Sequence, residues 1–333
     1  GQRGSGHLKT VVSEYTSQKH SFFVDSGKTA MLCGLRALAR QADAFRNEVV
    51  IPAYTCFTVP AAIVRSGLKV HPVDIDPMTM DYDYNRLETV DFSRVLAVVG
   101  NNLFGSPSSW SVLRSLAKEN GVYLVDDSAQ TMGLEYKGGP LGGFGAFGFY
   151  SLGRGKNLSA YSGGILLTND DQLSRLIVQE VSTLPDSKVK SEILTMAKTI
   201  ALSMFLHPRL YWIPARMPFL KLGETIFDPD FETERLSPLQ IALTDVMIEK
   251  LSLYNEKRHE NSRLLIEGIE SLPQYRIPGL DSSEHHTYLR LPVLTESKAA
   301  RDNLMVSLRR RGVSASPMYP SSVRHIPGIE RYL

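Results

Sequence analysis

The sequence predicts an α/β fold built on a mostly parallel sheet. Two observations carry that prediction. Through the first half of the chain, short apolar runs of strand length alternate with helix-period segments of about a dozen residues, the pattern of strands joined by crossover helices. Several of those runs, such as VYLVDD, are apolar until their last residues and read as buried strands.

The elements follow in order. Lys28 to Arg40 (KTAMLCGLRALAR) sets Met31, Leu32, Leu35 and Leu38 at helical spacing. EVVIPA, from Glu48 to Ala53, is a short apolar run ended by proline and predicts a buried strand. CFTVPAAIVRSG reads as a helix stopped by Gly67. LKVHPVDID and RVLAVVG are strand-like. WSVLRSLAKENG is an amphipathic helix with Gly121 as its C-cap. VYLVDD, FGAFGFYSL and GGILLTND add three strands. After about Asp170 helical segments dominate to about Leu272. Ser237 and Pro238 supply N-cap and N1 of a long helix whose face is expected to carry Leu239, Leu243, Val246 and Leu251. The tail mixes strand (TYLRLPVL), helix (SKAARDNLMVSLRRRG) and strand (VSASPMY). The expected division is a large α/β domain over residues 1–240 and a small α+β domain over 241–333. The last residues, GIERYL, lack a finishing element, so the natural chain is expected to continue.

Composition excludes several function classes. The 333 residues carry 37 basic and 35 acidic side chains, a net charge of +2, which gives no electrostatic footprint for nucleic acid. Cys33 and Cys56 are the only cysteines, so no disulfide framework is implied and a reducing cytoplasm fits. The histidines lack zinc-site spacing; His285 and His286 are adjacent, and on a strand they would face opposite ways. GQRGSGH has no apolar core of a signal peptide and reads as a solvated terminus. The most apolar long segment runs from Met196 to Pro214. Lys198, His207 and Arg209 interrupt it, so it is expected to be a core helix or subunit interface, with no membrane partner.

Three stretches carry candidate chemistry. Ser26-Gly27-Lys28-Thr29 lies between strand-like SFFV and a helix. Its backbone N–H groups either form an anion site, which glycine lets an anion approach, or Ser26 or Asp25 merely caps the helix. It lacks the spacing of a nucleotide-binding P-loop. VYLVDD delivers Asp126 and Asp127 to a strand's carboxyl end, where α/β sheets bind ligands, and adjacent strand residues face opposite ways. In SLGRGKNLSAYSGG, Ser151 to Gly164, Lys156 sits among glycines between two apolar strands. It serves as a phosphate cation, an imine-forming amine or an exposed loop lysine. Arg154 in the same loop is read as facing solvent or a structural ion pair. Taken together, a phosphate nest, a strand-end aspartate and a loop lysine are what pyridoxal phosphate (PLP) requires: the lysine for the Schiff base, the acid for the pyridinium nitrogen.

From about Phe23 to Tyr319 the chain resembles the fold-type I PLP enzymes of the DegT/DnrJ/StrS type, mostly sugar-nucleotide aminotransferases. The landmarks come in order: SGKTAMLCGLRAL, the block EVVIPAYTCFTVPAAIVRSGLKVHPVDIDPMTMDYD, NNLFGSP, LVDDSAQTMG, SLGRGKNLSAYSGGILLTND and RLSPLQIAL. The resemblance implies Lys156 as the Schiff-base lysine and Asp127 as the pyridinium partner. It implies Gln130 beside the ring oxygen or phosphate, and Ser151 as a phosphate ligand. Gly27 and Lys28, with Thr29, stand where backbone amides hold the phosphate. The ring-stacking aromatic of the family falls at Cys56, with Phe57 next to it. The family's asparagine that reaches the partner subunit's phosphate aligns with Thr233, two before Arg235, and its pocket histidine aligns with Asn102. A homodimer is implied, as are PLP and its pyridoxamine form, glutamate as amino donor and a keto-sugar nucleotide as acceptor. Two other outcomes stay open. The sugar dehydratases of the family replace the lysine by histidine, and a regulatory homologue would keep the fold without catalysis.

Overall fold

Seven strands form the central sheet of the computed structural model, which describes residues 2–205, 225–279, 288–313 and 315–333. They are β1 (His20–Val24), β2 (Glu48–Pro52), β3 (Lys69–Val73), β4 (Val95–Asn101), β5 (Tyr123–Asp127), β6 (Phe147–Ser151) and β7 (Gly164–Thr168). Their spatial order is β1-β7-β6-β5-β4-β2-β3. Neighbours from β6 through β3 pair in parallel, and β7 alone runs antiparallel to both of its partners. The amino end of β7 therefore lies at the same edge as the carboxyl ends of the others. Gly164 pairs with both Val24 and Ser151 there.

Helices cover both faces, which is why the strands are apolar on both sides. On one face α2 (Gly27–Gln41), α3 (Thr58–Arg65) and α5 (Asp171–Ser182) pack Leu35, Ile63 and Leu173 against Val49, Ile51, Phe147 and Leu166. On the other, α4 (Trp110–Asn120) packs Trp110 and Leu113 against Val50, Val98 and Leu124. The same outer face takes α1 (Gln2–Thr16), α7 (Pro238–Ile248) and α8 (Leu251–Glu270), where Leu8, Val12, Ile248 and Leu251 meet Ile165 and Leu167. Helix α6 (Val189–Phe205) follows α5, and α9 (Lys298–Arg310) lies in the tail. Val323, Ile326 and Ile329, near the last residues, return to the main core.

GQRGSGH opens α1, which buried Leu8 and Val12 anchor, and its Gly6 and His7 are exposed, in line with a solvated start. Other expectations need correction. The long helix from Ser237 is two helices, α7 and α8. Ser237 and Gln240 do form the capping box that starts α7, but its buried face carries Gln240, Thr244 and Ile248, while Val246 is exposed. Among its described residues TYLRLPVL contributes only its last, Leu294, to a two-residue strand (Leu294–Thr295), and VSASPMY contributes none, because Tyr319 leaves to pack between Tyr54 and Phe104. For the apolar stretch from Met196, expected as a core helix or a subunit interface, the exposure of Met196 and Ile200 in the described part argues against the core helix and leaves the interface reading standing. His285, His286 and residues 207–214 lie outside the described residues.

Candidate active site

The reversed strand brings three loops to one edge of the sheet. At the end of β1, Ser26 caps α2 by accepting the Thr29 N–H at 3.3 Å, and its hydroxyl meets that of Thr29 at 2.9 Å. The cap therefore takes one of the first N–H groups and leaves the positive end of α2 facing the edge. Gly27 is held against Ser151: a Cβ on Gly27 would stand 3.0 Å from Ser151 Cβ. Gly164 packs tighter still, for its Cβ would stand 2.8 Å from the Gly27 nitrogen and nearer to the Ser26 carbonyl. Gly164→Ala is expected to destabilise the fold by about 3 kcal/mol, read as a lower urea midpoint, because only backbone lies in the way. Lys28 turns its side chain elsewhere. Its ammonium lies 4.3 Å from the centre of the Phe231 ring, which Arg65 also approaches, and burial lowers its pKa against the pull of Asp228 and Asp25.

The two adjacent carboxylates divide cleanly. Asp126 accepts from Asn102 Nδ2 (2.7 Å), Ser128 Oγ (2.6 Å), Gly142 N (2.7 Å) and Phe144 N (3.1 Å) and is fully occupied holding loops. Asn102 is a structural hub beside it, its Oδ1 accepting from Ser108 N and Trp110 Nε1. Asp127, equally buried, accepts one bond, from Ala129 N at 3.1 Å, and among the described residues its second oxygen has none. Burial pushes its carboxyl up to about 6, and the Lys156 ammonium restrains the rise.

Lys156 and Asp127 influence each other's charge without a direct ion pair or hydrogen bond between them. Burial lowers the pKa of its ammonium and Arg290 adds to the effect, while Cys56 and Asp127 oppose it. The Arg290 guanidinium sits beside the loop, 3.1 Å from where a side chain on Gly155 would begin. Helix α8 braces the loop from below. Arg258 donates to the Lys156 carbonyl (3.3 Å) and to Asn255 Oδ1 (3.0 Å). Asn157 donates to that same oxygen (3.3 Å), and Asn255 Nδ2 donates to the Met132 carbonyl (3.0 Å). Arg154 is exposed, stacked 5.3 Å from the Tyr161 ring, as the solvent-facing reading expects.

Gln130 closes the far side. Its Nε2 donates to the Tyr319 hydroxyl at 3.2 Å, and its Oε1 is buried with no hydrogen bond among the described residues. Tyr319 stacks on Phe104 and meets Tyr54 edge-on. Cys56 is half-buried near the lysine, whereas Phe57 packs into the main core. Thr233 is half-buried and makes no hydrogen bond among the described residues. Its neighbour Arg235 is tied to Leu184 O and Asp186, both at 3.1 Å. Sequence reasoning missed Tyr319, Arg290, Asn255 and Arg258. They come from the last third of the chain, and no local motif marks them.

Thus Lys156, Asp127, Gln130, Ser151 and Gly27 meet at one sheet edge: a half-buried lysine, a carboxylate with one open oxygen, an amide oxygen unpaired among the described residues and the start of a helix. The chain is 26% identical over 320 residues to the pleiotropic regulatory protein of Geobacillus stearothermophilus, covering 94% of this chain and 74% of that protein. It is 24% identical over 314 residues to dTDP-3-amino-3,4,6-trideoxy-alpha-D-glucose transaminase of Streptomyces venezuelae, covering 94% and 72%. The fold superimposes on S. venezuelae DesV, solved in complex with a ketimine intermediate, with a TM-score of 0.76 at 22% identity, over 98% of this chain and 76% of that one. The DegT/DnrJ/EryC1/StrS aminotransferase model matches residues 5–191 and 232–331, and the chain belongs to that PLP-dependent family.

Proposed function

We propose that the protein moves an amino group from glutamate to a keto group on a nucleotide-linked sugar, with Lys156 as the residue that holds PLP covalently. The observation that carries this reading is a strand-end aspartate, Asp127, that keeps one oxygen unpaired among the described residues within electrostatic reach of Lys156, in contrast to the saturated Asp126 beside it. The residues present fit the cofactor. Gly27 leaves the room beside Ser151 that an anion at the start of α2 needs, Asp127 offers a carboxylate for a ring N–H, and Gln130 Oε1 is a buried acceptor without a donor.

When bound, PLP accepts the amino group at its aldehyde carbon and acts as an electron sink. The chain supplies the rest. Lys156, in a site where burial disfavours its charge, gives up its proton readily and is suited to carry a proton from the donor's Cα and return it. Asp127 in its ionised form favours a protonated ring nitrogen. With its carboxyl near 6, it takes up a proton as pH falls through that value, so cofactor affinity is expected to drop there. Gln130 and Tyr319 hold one wall of the site in place. A homodimer belongs to this reading, with Thr233 reaching the partner's phosphate. Retention of lysine at position 156 argues against the dehydratase alternative.

The test has two stages. Purified protein incubated with PLP is expected to develop the absorption of a covalent lysine adduct, and borohydride reduction should fix the label on the peptide that contains Lys156. Glutamate should then bleach that band, and a panel of keto-sugar nucleotides should restore it. No adduct sinks the lysine assignment. An adduct that no amino donor bleaches favours the regulatory homologue.

A further inference from the structure

Arg290 is an arginine without a counterion beside the Lys156 loop. The segment that carries it is held at two points. The Leu289 N–H donates to the Phe104 carbonyl at 2.8 Å, and buried Tyr288 donates its hydroxyl to the Pro278 carbonyl at 3.2 Å. Phe104 in turn stacks on Tyr319, whose hydroxyl accepts from Gln130. The guanidinium thus belongs to a wall of the site. It comes so close to Gly155 that a Cβ there would stand 3.1 Å from its terminal nitrogen. Its charge reaches both the Lys156 ammonium and the Tyr319 hydroxyl. Yet among the described residues Arg290 makes no hydrogen bond and no ion pair. The other arginines of the loop are engaged: Arg258 holds Asn255 and the Lys156 carbonyl, and Arg154 stacks on Tyr161.

The charges around the lysine do not balance. Among the described residues the one carboxylate in electrostatic reach of Lys156 is Asp127, against two cations, the lysine itself and Arg290. An arginine near another cation, with no carboxylate of its own, favours an anion brought in from outside the chain. Its planar fork matches a carboxylate through two parallel N–H bonds. The reaction decides which anion arrives there. In the proposed transamination Lys156 takes the proton from the Cα of the amino donor, so that carbon must come within reach of the amine. The donor's α-carboxylate is bonded to that same carbon. The phosphates of a sugar nucleotide stand several bonds away from the keto carbon that later takes its place. The α-carboxylate is therefore the anion delivered beside the amine, where the guanidinium waits.

We propose that Arg290 binds the α-carboxylate of the amino donor and so selects α-amino acids over simple amines. The inference rests on the aminotransferase reading, and 4-aminobutyrate separates the two. It is glutamate without the α-carboxylate, with an amine and the distal carboxylate kept. PLP-loaded wild type, Arg290→Gln and Arg290→Lys are mixed with glutamate or with 4-aminobutyrate, and bleaching of the lysine adduct is followed in single turnovers. Arg290→Gln is expected to raise the half-saturating glutamate concentration about thirtyfold or more, and to leave the slower reaction with 4-aminobutyrate within about threefold of wild type. Arg290→Lys should recover part of the glutamate affinity. Arg290 is exposed, so both variants should keep wild-type PLP uptake and melting. A change in the charge of Lys156 alone would move both donors together, so the preference for glutamate over 4-aminobutyrate is the deciding readout. Unchanged glutamate affinity in Arg290→Gln overturns the proposal, and so does an equal loss with both donors. It is also overturned if the variant keeps its glutamate affinity and loses the return reaction with keto-sugar nucleotides, since the guanidinium would then serve the acceptor's phosphates. A wild-type adduct that no donor bleaches sinks the aminotransferase reading and this inference with it.

Discussion

Lys156→Ala is expected to reduce kcat/KM for transamination by at least about 10⁴-fold, since in the proposed function it removes both the covalent anchor and the group that moves the proton. The fold should not suffer. Burial already lowers the pKa of the ammonium, which means the site holds the charge at a cost, and alanine removes that cost. The variant should still bind PLP through the anion site at Gly27 and Ser151 and through Asp127, without forming the covalent adduct. Added methylamine, small enough to enter the vacated space, is expected to recover part of the proton-transfer rate. Equilibrium dialysis against PLP, a melting curve and steady-state kinetics separate these effects. A variant that retains wild-type turnover removes Lys156 from the chemistry.

Asp127→Asn is expected to lower turnover about a hundred- to a thousandfold while making the cofactor-free protein more stable at neutral pH. The sign follows from linkage. Burial raises the Asp127 carboxyl from its ordinary 3.8 to about 6, so the folded state binds that proton more tightly than the unfolded state does. The stability this group contributes is fully present below 3.8 and is lost as pH rises through about 6. Above that the buried, half-satisfied carboxylate costs the empty fold on the order of 3 kcal/mol. Asparagine cannot ionise, so the variant's melting temperature should exceed wild type's at pH 7.5, and the difference should shrink toward pH 4. Differential scanning calorimetry across that range checks it. Equal melting temperatures at every pH would mean that Asp127 is not ionised against its surroundings in the empty protein.

Much of this site was legible because it is written locally. The strand end at Asp127, the glycine at the start of α2 and the lysine between two apolar strands each announce themselves within a dozen residues. Which of Asp126 and Asp127 stays open was not legible, because the answer lies in donors supplied by Asn102, Ser128, Gly142 and Phe144. The same holds for Tyr319, whose setting depends on Tyr54, Phe104 and Gln130 from three distant loops. Helix boundaries failed where no glycine or proline marked them. The break between α7 and α8 falls at Glu249 and Lys250, and the apolar spacing ran through it, so Val246 was placed on the buried face that Gln240, Thr244 and Ile248 occupy. In α6 the apolar pattern predicted a core helix or a subunit interface, and hydrophobicity alone could not say which; Met196 and Ile200 are exposed on the single chain.

The brace under the lysine loop has a consequence for how the protein matures. Arg258 and Asn255 lie about a hundred positions after the Lys156 and Asn157 they hold, and Asn255 reaches back further, to Met132. Such contacts carry a high entropic cost of closure and form late. During synthesis all seven strands of the central sheet leave the ribosome before α8 does, and the loop has nothing beneath it until that helix arrives. The seven strands are thus all available before the contacts that fix the Lys156 loop can form.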